Sequence, residues 1–153
     1  VTGGRSGIGR ACVELLEASG ATVHVIDMQG ADPISVTDKP ALEALAAKVG
    51  PTVDVLINAA GILPPNTTID GITVEDARRS YEVNVIGTLN LLAAAGASGS
   101  SVRQVVVKSS THVYGAGAGD PAYFRETDTR TSPVATRLER SLLEVESLVR
   151  DFA

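Results

Sequence analysis

Three glycines, at positions 3, 7 and 9, and an aspartate eighteen residues beyond the last of them could do chemistry together. Val1-Thr2-Gly3-Gly4-Arg5-Ser6-Gly7-Ile8-Gly9 reads as a turn joining the end of a strand to the start of a helix. Gly3 sits where the chain reverses sharply, a place for a positive φ that only glycine adopts without steric cost. Gly7 carries no side chain, so a pyrophosphate can approach its backbone, and Gly9 lets the helix pack closely on the sheet. Ser6, Gly7 and Ile8 then stand at a helix N-terminus, whose free N–H groups and partial positive charge attract phosphate. Asp27 lies close to the roughly 20-residue offset at which a carboxylate meets a ribose hydroxyl. A carboxylate there accepts from the 2′-OH of NAD and repels the 2′-phosphate of NADP, so NAD is the expected cofactor and NADP the less favoured one. Arg5 has two readings: a guanidinium that assists the phosphates of either cofactor, or a solvated loop residue.

The elements around these residues follow from periodicity. Ile8, Cys12, Leu15 and Leu16 mark the apolar face of a helix that Gly20 stops. Thr22 to Ile26 is a short β-branched run ending at Asp27, and Ile34-Ser35-Val36 a short extended piece. Lys39 to Val49 reads as a helix, and Val53 to Asn58 as a strand running into Ala59-Ala60-Gly61. Thr73 begins a long helix, with Glu75 and Asp76 in its acidic first turn. Val102 to Lys108 is a buried strand, residues 115–130 a loop, and Ser132-Pro133 the expected start of a helix ending near Phe152. Strands alternating with helices predict an α/β fold, a doubly wound parallel sheet with helices on both faces. Val1 and Thr2 are all that is present of a first strand, and the chain stops in a helix. The expectation is one dinucleotide-binding domain over 1–153, a fragment with its first strand and C-terminal part truncated.

Composition narrows the function classes. The net charge is −5 and no basic cluster occurs, which argues against nucleic acid or an anionic membrane as partner. Cys12 is the only cysteine, so no disulfide closes within the chain and no zinc-ligand spacing exists. No apolar run is long enough for a membrane span, and the cytoplasm is the expected compartment. Asn66-Thr67-Thr68 matches a glycosylation acceptor without other signs of secretion. His24 reads as a satisfied core residue within its strand.

Taken together, these motifs resemble the short-chain dehydrogenase/reductase superfamily over essentially the whole chain. Thr2 to Gly9 is similar to its cofactor turn, Asn58-Ala59-Ala60-Gly61 to its NNAG element, and Asn84-Val85-Ile86-Gly87-Thr88 to its NVxGT segment. The first half resembles the short single-domain branch. The second half, with Ser109-Ser110-Thr111-His112-Val113-Tyr114-Gly115, resembles the extended branch of NAD-dependent epimerases and dehydratases. The resemblance implies a Rossmann-like NAD(P)-binding domain, with Gly3, Arg5, Ser6, Gly7, Ile8, Gly9, Asp27, Asn58, Ala59, Ala60 and Gly61 toward the cofactor. It also implies that Ser110 bonds a substrate oxygen, that Tyr114 is structural, and that two copies pair through the last two long helices.

The departures from that pattern concern chemistry. The superfamily uses a tyrosine followed four positions later by a lysine; here no lysine lies four positions after any of Tyr81, Tyr114 or Tyr123. Aligned on the epimerase-like helix, Leu138 takes the place of the tyrosine and Leu142 that of the lysine. Ser35 stands where short-branch members often place an aspartate against adenine, and Thr111-His112 where dehydratases carry two acidic residues. Ser110 and His112 are the remaining catalytic candidates, and no metal ligand set is seen. Leu138, Leu142, Val145, Val149 and Phe152 instead continue an apolar stripe at helical period, with Glu146 and Arg150 as an i,i+4 pair. Two functions remain open: an oxidoreductase or epimerase-like protein for a small carbonyl, alcohol or nucleotide-sugar substrate, and a non-catalytic NAD-binding sensor or interaction module.

Overall fold

The computed structural model describes residues 1–63, 71–115 and 117–152; Asn66-Thr67-Thr68 lies outside the described residues. The chain forms two compact units, Val1–Lys108 and Ser109–Ala153. In the first, α1 spans Gly7–Ala18, α2 Lys39–Val49, β1 Val55–Asn58, α3 Val74–Tyr81, α4 Gly87–Ala95 and β2 Gln104–Val107. A π-helical turn, Glu82–Ile86, splices α3 to α4.

β1 and β2 pair in parallel, Val55 opposite Gln104 through Asn58 opposite Val107. Thr2 lies between Ile26 and Asn58, bridged in parallel to both, so the sheet order is Ile26, Thr2, β1, β2. Of the expected strand over 22–26, the bridge is at Ile26. Thr2 is the most deeply buried residue, at 0 % exposed. Its N–H donates to the Ile57 carbonyl at 2.9 Å, and the N–H of Gly3 to that of Ile26 at 2.8 Å. His24 is exposed rather than in a core, and its carbonyl accepts from the Val1 ammonium.

Local chemistry sets the helix ends. Asp38 accepts from the Ala41 N–H and starts α2 as its cap. Thr73 and Asp76 form a reciprocal capping box on α3, and the bonds from Thr73 hold the Asp76 carboxyl below its ordinary range. α1 departs from expectation. Gly9 and Val13 are its buried residues, whereas Ile8 and Leu15 are 61 % and 69 % exposed. The stripe expected from Ile8, Cys12, Leu15 and Leu16 is therefore not the buried one: the packed stripe is the adjacent one, in which Gly9 faces the Gly3 carbonyl. Val36, Val85, Leu91, Leu92 and Ala95 complete the core of this unit.

The second unit holds a 3₁₀ turn, Thr111–Tyr114, and α5, Arg137–Phe152. α5 begins later than Ser132-Pro133 predicts. The Arg130 guanidinium takes the carbonyls of Ser132 and Pro133, both at 2.7 Å, which draws these residues out of helical geometry. Thr136 and Glu139 cap the helix instead: the Thr136 hydroxyl accepts from the Glu139 N–H, and the Glu139 carboxylate from the N–H groups of Ala135 and Thr136. Arg130 pairs with that carboxylate at 3.2 Å, with both side chains at 10 % exposure or less. Val145 is buried, while Leu138 and Phe152 stay 38 % and 40 % exposed at the two ends of the stripe. No ion pair joins Glu146 to Arg150 among the described residues.

The bonds from Thr136 and Ala135, then the charge of Arg130, hold the Glu139 carboxyl below its ordinary 4.5. A depressed folded-state value adds stability above pH 4.5, and that stability is lost as pH falls through the depressed value. Glu139→Gln therefore lowers the melting temperature most near neutrality, and the gap to the native chain closes on acidification. Thermal melts from pH 7 to pH 3 check this; a gap independent of pH would contradict it.

Candidate functional site

The glycine turn and the end of β1 are built against each other. Gly3 adopts φ +65°, and a Cβ there would stand 2.9 Å from the Ala60 N and Cα atoms. A Cβ on Gly9 would overlap the Gly3 carbonyl oxygen. α1 is thus seated on the turn with no room for a methyl group. Gly7 differs: it has φ +50°, and a Cβ there would meet nothing within 4 Å. Ser6 is the N-cap of α1, yet its side chain makes no capping bond. The first bond into the helix runs from the Arg10 N–H to the Ser6 carbonyl at 3.1 Å. The N–H groups of Gly7, Ile8 and Gly9 have no acceptor among the described residues. An open glycine face with unpaired donors at a helix N-terminus suits an anion, and a pyrophosphate fits it by size and charge.

Asp27 is held in place by the backbone. Its two carboxylate oxygens accept from the N–H groups of Arg5 and Gln29, both at 2.8 Å. The carboxylate retains further lone pairs for a hydroxyl donor. This links the glycine turn to the loop that follows Ile26. The Arg5 side chain lies across Gly30, where a Cβ would be 2.5 Å from the Arg5 Nε atom. Ile8 is exposed beside the turn.

Asn58, 5 % exposed, acts as a clamp. Its Oδ1 accepts from the Thr2 hydroxyl at 2.6 Å and its Nδ2 donates to Thr88 Oγ1 at 2.8 Å. The Thr88 hydroxyl donates to the Asn84 carbonyl one turn back, and Thr2 Oγ1 accepts from the Ala60 N–H at 3.1 Å. The Asn84 side chain grips Ile62 through both its N–H and its carbonyl, at 2.9 and 2.8 Å. The π-turn is the segment that carries Asn84 and so meets the loop after β1. The Asn58 side chain is bonded within the fold to Thr2 and Thr88, and the backbone of Ala59 and Ala60 lies beside Gly3. Asn84 and Thr88 were legible only as part of a motif, not as the two anchors of this network.

Removing the Asn58 amide leaves the buried Thr2 hydroxyl without its acceptor, while the Thr88 hydroxyl loses one donor and keeps its bond to the Asn84 carbonyl. Asn58→Ala is expected to cost about 2–4 kcal/mol, from two lost bonds and one unsatisfied group. That corresponds to a melting temperature lower by roughly 5–15 °C for a chain of this size. Thermal denaturation followed by circular dichroism measures it, and a shift of a degree or less would remove Asn58 from the role of clamp.

In the second unit, Ser110 caps the 3₁₀ turn, and its Oγ lies 2.9 Å from His112 Nδ1. His112 is exposed, and its carbonyl accepts from Arg130 at 3.1 Å. The pair can carry a proton along a serine–imidazole bond. Tyr114 stacks on Phe124 with ring centroids 5.0 Å apart, in keeping with a structural part. An open hollow of about 390 Å³ is lined by Tyr114, Phe124, Asp128 and neighbouring threonines, not by Ser110 or His112. Leu138 and Leu142, one turn apart on α5, carry no group that can donate or accept a proton. Among the described residues no cluster of His, Cys, Asp or Glu could hold a metal ion, and no helix is long and apolar enough to cross a membrane.

Comparison with known proteins agrees with this geometry. The model of the NAD dependent epimerase/dehydratase family matches residues 1–141. A 3-hydroxyacyl-CoA dehydrogenase type-2 from Bos taurus is 33 % identical over 115 residues, covering 60 % of this chain and 44 % of the relative. A short-chain dehydrogenase/reductase superfamily protein from Agrobacterium tumefaciens, solved with bound NAD, superposes with a TM-score of 0.75 at 28 % identity, over 98 % of this chain and 43 % of that one. A putative epimerase from Burkholderia cenocepacia gives 0.72 at 25 % identity, over 99 % and 48 %. The chain therefore spans less than half the length of these relatives.

Proposed function

Because this chain belongs to the NAD dependent epimerase/dehydratase family, we propose that it binds NAD at the Gly3–Gly9 turn. In this reading the parent protein is an oxidoreductase or epimerase for a small carbonyl, alcohol or nucleotide-sugar substrate, with impaired catalysis. The observation that carries the binding half is the open, unpaired helix N-terminus at Gly7, next to a carboxylate fixed by two backbone donors. Gly7 admits the pyrophosphate, the N–H groups of Ile8 and Gly9 meet its charge, and Asp27 accepts from the adenosine ribose. Ala59, Ala60 and Gly61 line the ribose side through their backbone. NAD, when bound, supplies a hydride acceptor or donor; this chain's own part is to hold it and to handle the substrate proton.

The proton is where this chain differs from its family. Leu138 and Leu142 stand where the resemblance places the tyrosine acid–base and the lysine that lowers its pKa. Losing such a group costs about 10²–10⁴ in rate. Ser110 and His112 are the residues left to hold or move a proton, through the 2.9 Å contact between Oγ and Nδ1. A second reading, favoured by the same two leucines, is a non-catalytic NAD-binding module that senses cofactor or works through protein contacts on α5. It is an NAD-handling protein in either case, and in the cytoplasm by our reading.

One experiment separates the two. NADH is titrated by fluorescence, and turnover is then measured on a panel of carbonyls and alcohols. Binding with turnover that His112→Ala abolishes supports the enzyme; binding without turnover supports the module. Absence of NADH binding would overturn both.

A further inference from the structure

Arg130 ties the turn that carries Ser110 and His112 to the start of α5. Its guanidinium takes the Ser132 and Pro133 carbonyls, both at 2.7 Å, the Glu139 carboxylate at 3.2 Å and the His112 carbonyl at 3.1 Å. Glu139 is itself fixed by the N–H groups of Ala135 and Thr136, so the guanidinium is anchored on the α5 side. The Arg130 and Glu139 side chains are 10 % and 4 % exposed, which shields their pairing from salt. The His112 end is less secure by itself. Thr111–Tyr114 is one 3₁₀ turn of four residues, too short to hold its own geometry. His112 is exposed, and among the described residues its ring is bonded to Ser110 Oγ alone. Its carbonyl, in contrast, takes two donors, the Gly115 N–H at 3.2 Å and Arg130, which together fix the peptide plane after His112.

We propose that Arg130 is a positioning residue, holding the His112 backbone so that Nδ1 stays within bonding distance of the Ser110 hydroxyl. This rests on the reading in which Ser110 and His112 handle the substrate proton, and deepens it. For the imidazole to act as base, the Ser110 hydroxyl must donate to Nδ1, which requires the Nε2–H tautomer. A turn free to fray lets the ring swing away, and a misplacement of about 1 Å costs on the order of 100-fold in such a step. Only a planar fork meets three carbonyls and a carboxylate at once; a lysine ammonium is a point charge on a flexible stem. Arg130 acts through His112 and not on the substrate itself.

Arg130→Lys is the first variant. Arg130→Gln with Glu139→Gln is its charge-neutral companion, because a buried carboxylate left without its partner destabilises the unit. The chain has two histidines, His24 and His112, in different units, so NMR of the imidazole nitrogens reads the site and an internal control together. We expect the His112 ring resonances to move toward those of a free, tautomer-averaged imidazole in both variants, with His24 unmoved and circular dichroism native. Turnover should fall by about tenfold to 100-fold while NADH affinity is unchanged. A merely structural role would lower the melting temperature and leave the His112 resonances in place. A folded variant whose His112 resonances or turnover match the native chain overturns this inference and leaves the proton reading intact. Unfolding of both variants does the same, since it assigns Arg130 to stability alone. Native turnover that is absent, or that His112→Ala leaves unchanged, overturns the proton reading, and this inference with it.

Discussion

Gly9→Ala is expected to weaken NADH binding by about tenfold to 100-fold and to lower thermal stability in the same protein. The added methyl group would overlap the Gly3 carbonyl oxygen and lie 2.7 Å from its carbon. Neither partner can retreat. The Gly3 N–H is bonded to the Ile26 carbonyl at 2.8 Å, and the Gly3 Cα already faces the backbone of Ala59 and Ala60. Helix α1 must therefore move outward, carrying with it the unpaired N–H groups that would meet the pyrophosphate. Overpacking of this kind costs about 1–3 kcal/mol, and the upper end corresponds to about 100-fold in affinity. Gly7→Ala separates the two consequences. Its methyl group would meet no protein atom, so the loss of stability is confined to the strain of φ +50°. The loss of binding, in contrast, comes from the methyl standing where the ligand approaches. Melting curves and NADH titrations on the two variants side by side provide the measurement. A Gly9→Ala protein that binds NADH as tightly as the native chain would show that the turn is a plain strand–helix connection.

Much of the site's frame was legible because it depends on neighbours in sequence. The α2 limits, Lys39 and Val49, coincide with the expected ones, and Thr73 with Asp76 caps α3 as their spacing predicts. The strands ending at Asn58 and near Lys108 pair in parallel, as alternation with helices requires. What escaped depends on distant partners. The Asn58 side chain is claimed by Thr2 and Thr88, 56 and 30 residues away, and nothing local reveals that. The burial of α1 turned on one glycine's contact with a carbonyl, which hydropathy does not record. The start of α5 was misplaced because Pro133, a proline expected just inside a helix, is held with Ser132 by the Arg130 guanidinium, which takes both their carbonyls. There a signal existed: Thr136 followed three residues later by Glu139 is itself a capping pattern.

Installing Leu138→Tyr together with Leu142→Lys is expected to raise turnover on small alcohols or carbonyls by about 10²–10⁴ over the native chain. The two positions are four apart on α5, so their side chains lie on one face, one turn above the other. Leu138 is 38 % exposed and accepts a phenol without opening a cavity. Leu142 is half-buried, and the long apolar stem of lysine covers similar surface while its ammonium reaches outward. An ammonium one turn away favours the phenolate and brings the tyrosine toward the pH range in which it can exchange a proton. The single variants should each give far less, because a phenol without its cation stays protonated and a lysine without the phenol has no proton to move; members of such a pair act as a unit. Turnover of alcohols by the double variant should rise with pH as the phenol ionises and that of carbonyls should fall, opposite profiles that a gain in packing or solubility would not produce. If the double variant binds NADH and its turnover equals that of the native chain, these leucines do not occupy the acid–base positions. The impairment we propose for this chain would then have to lie outside these two positions of α5.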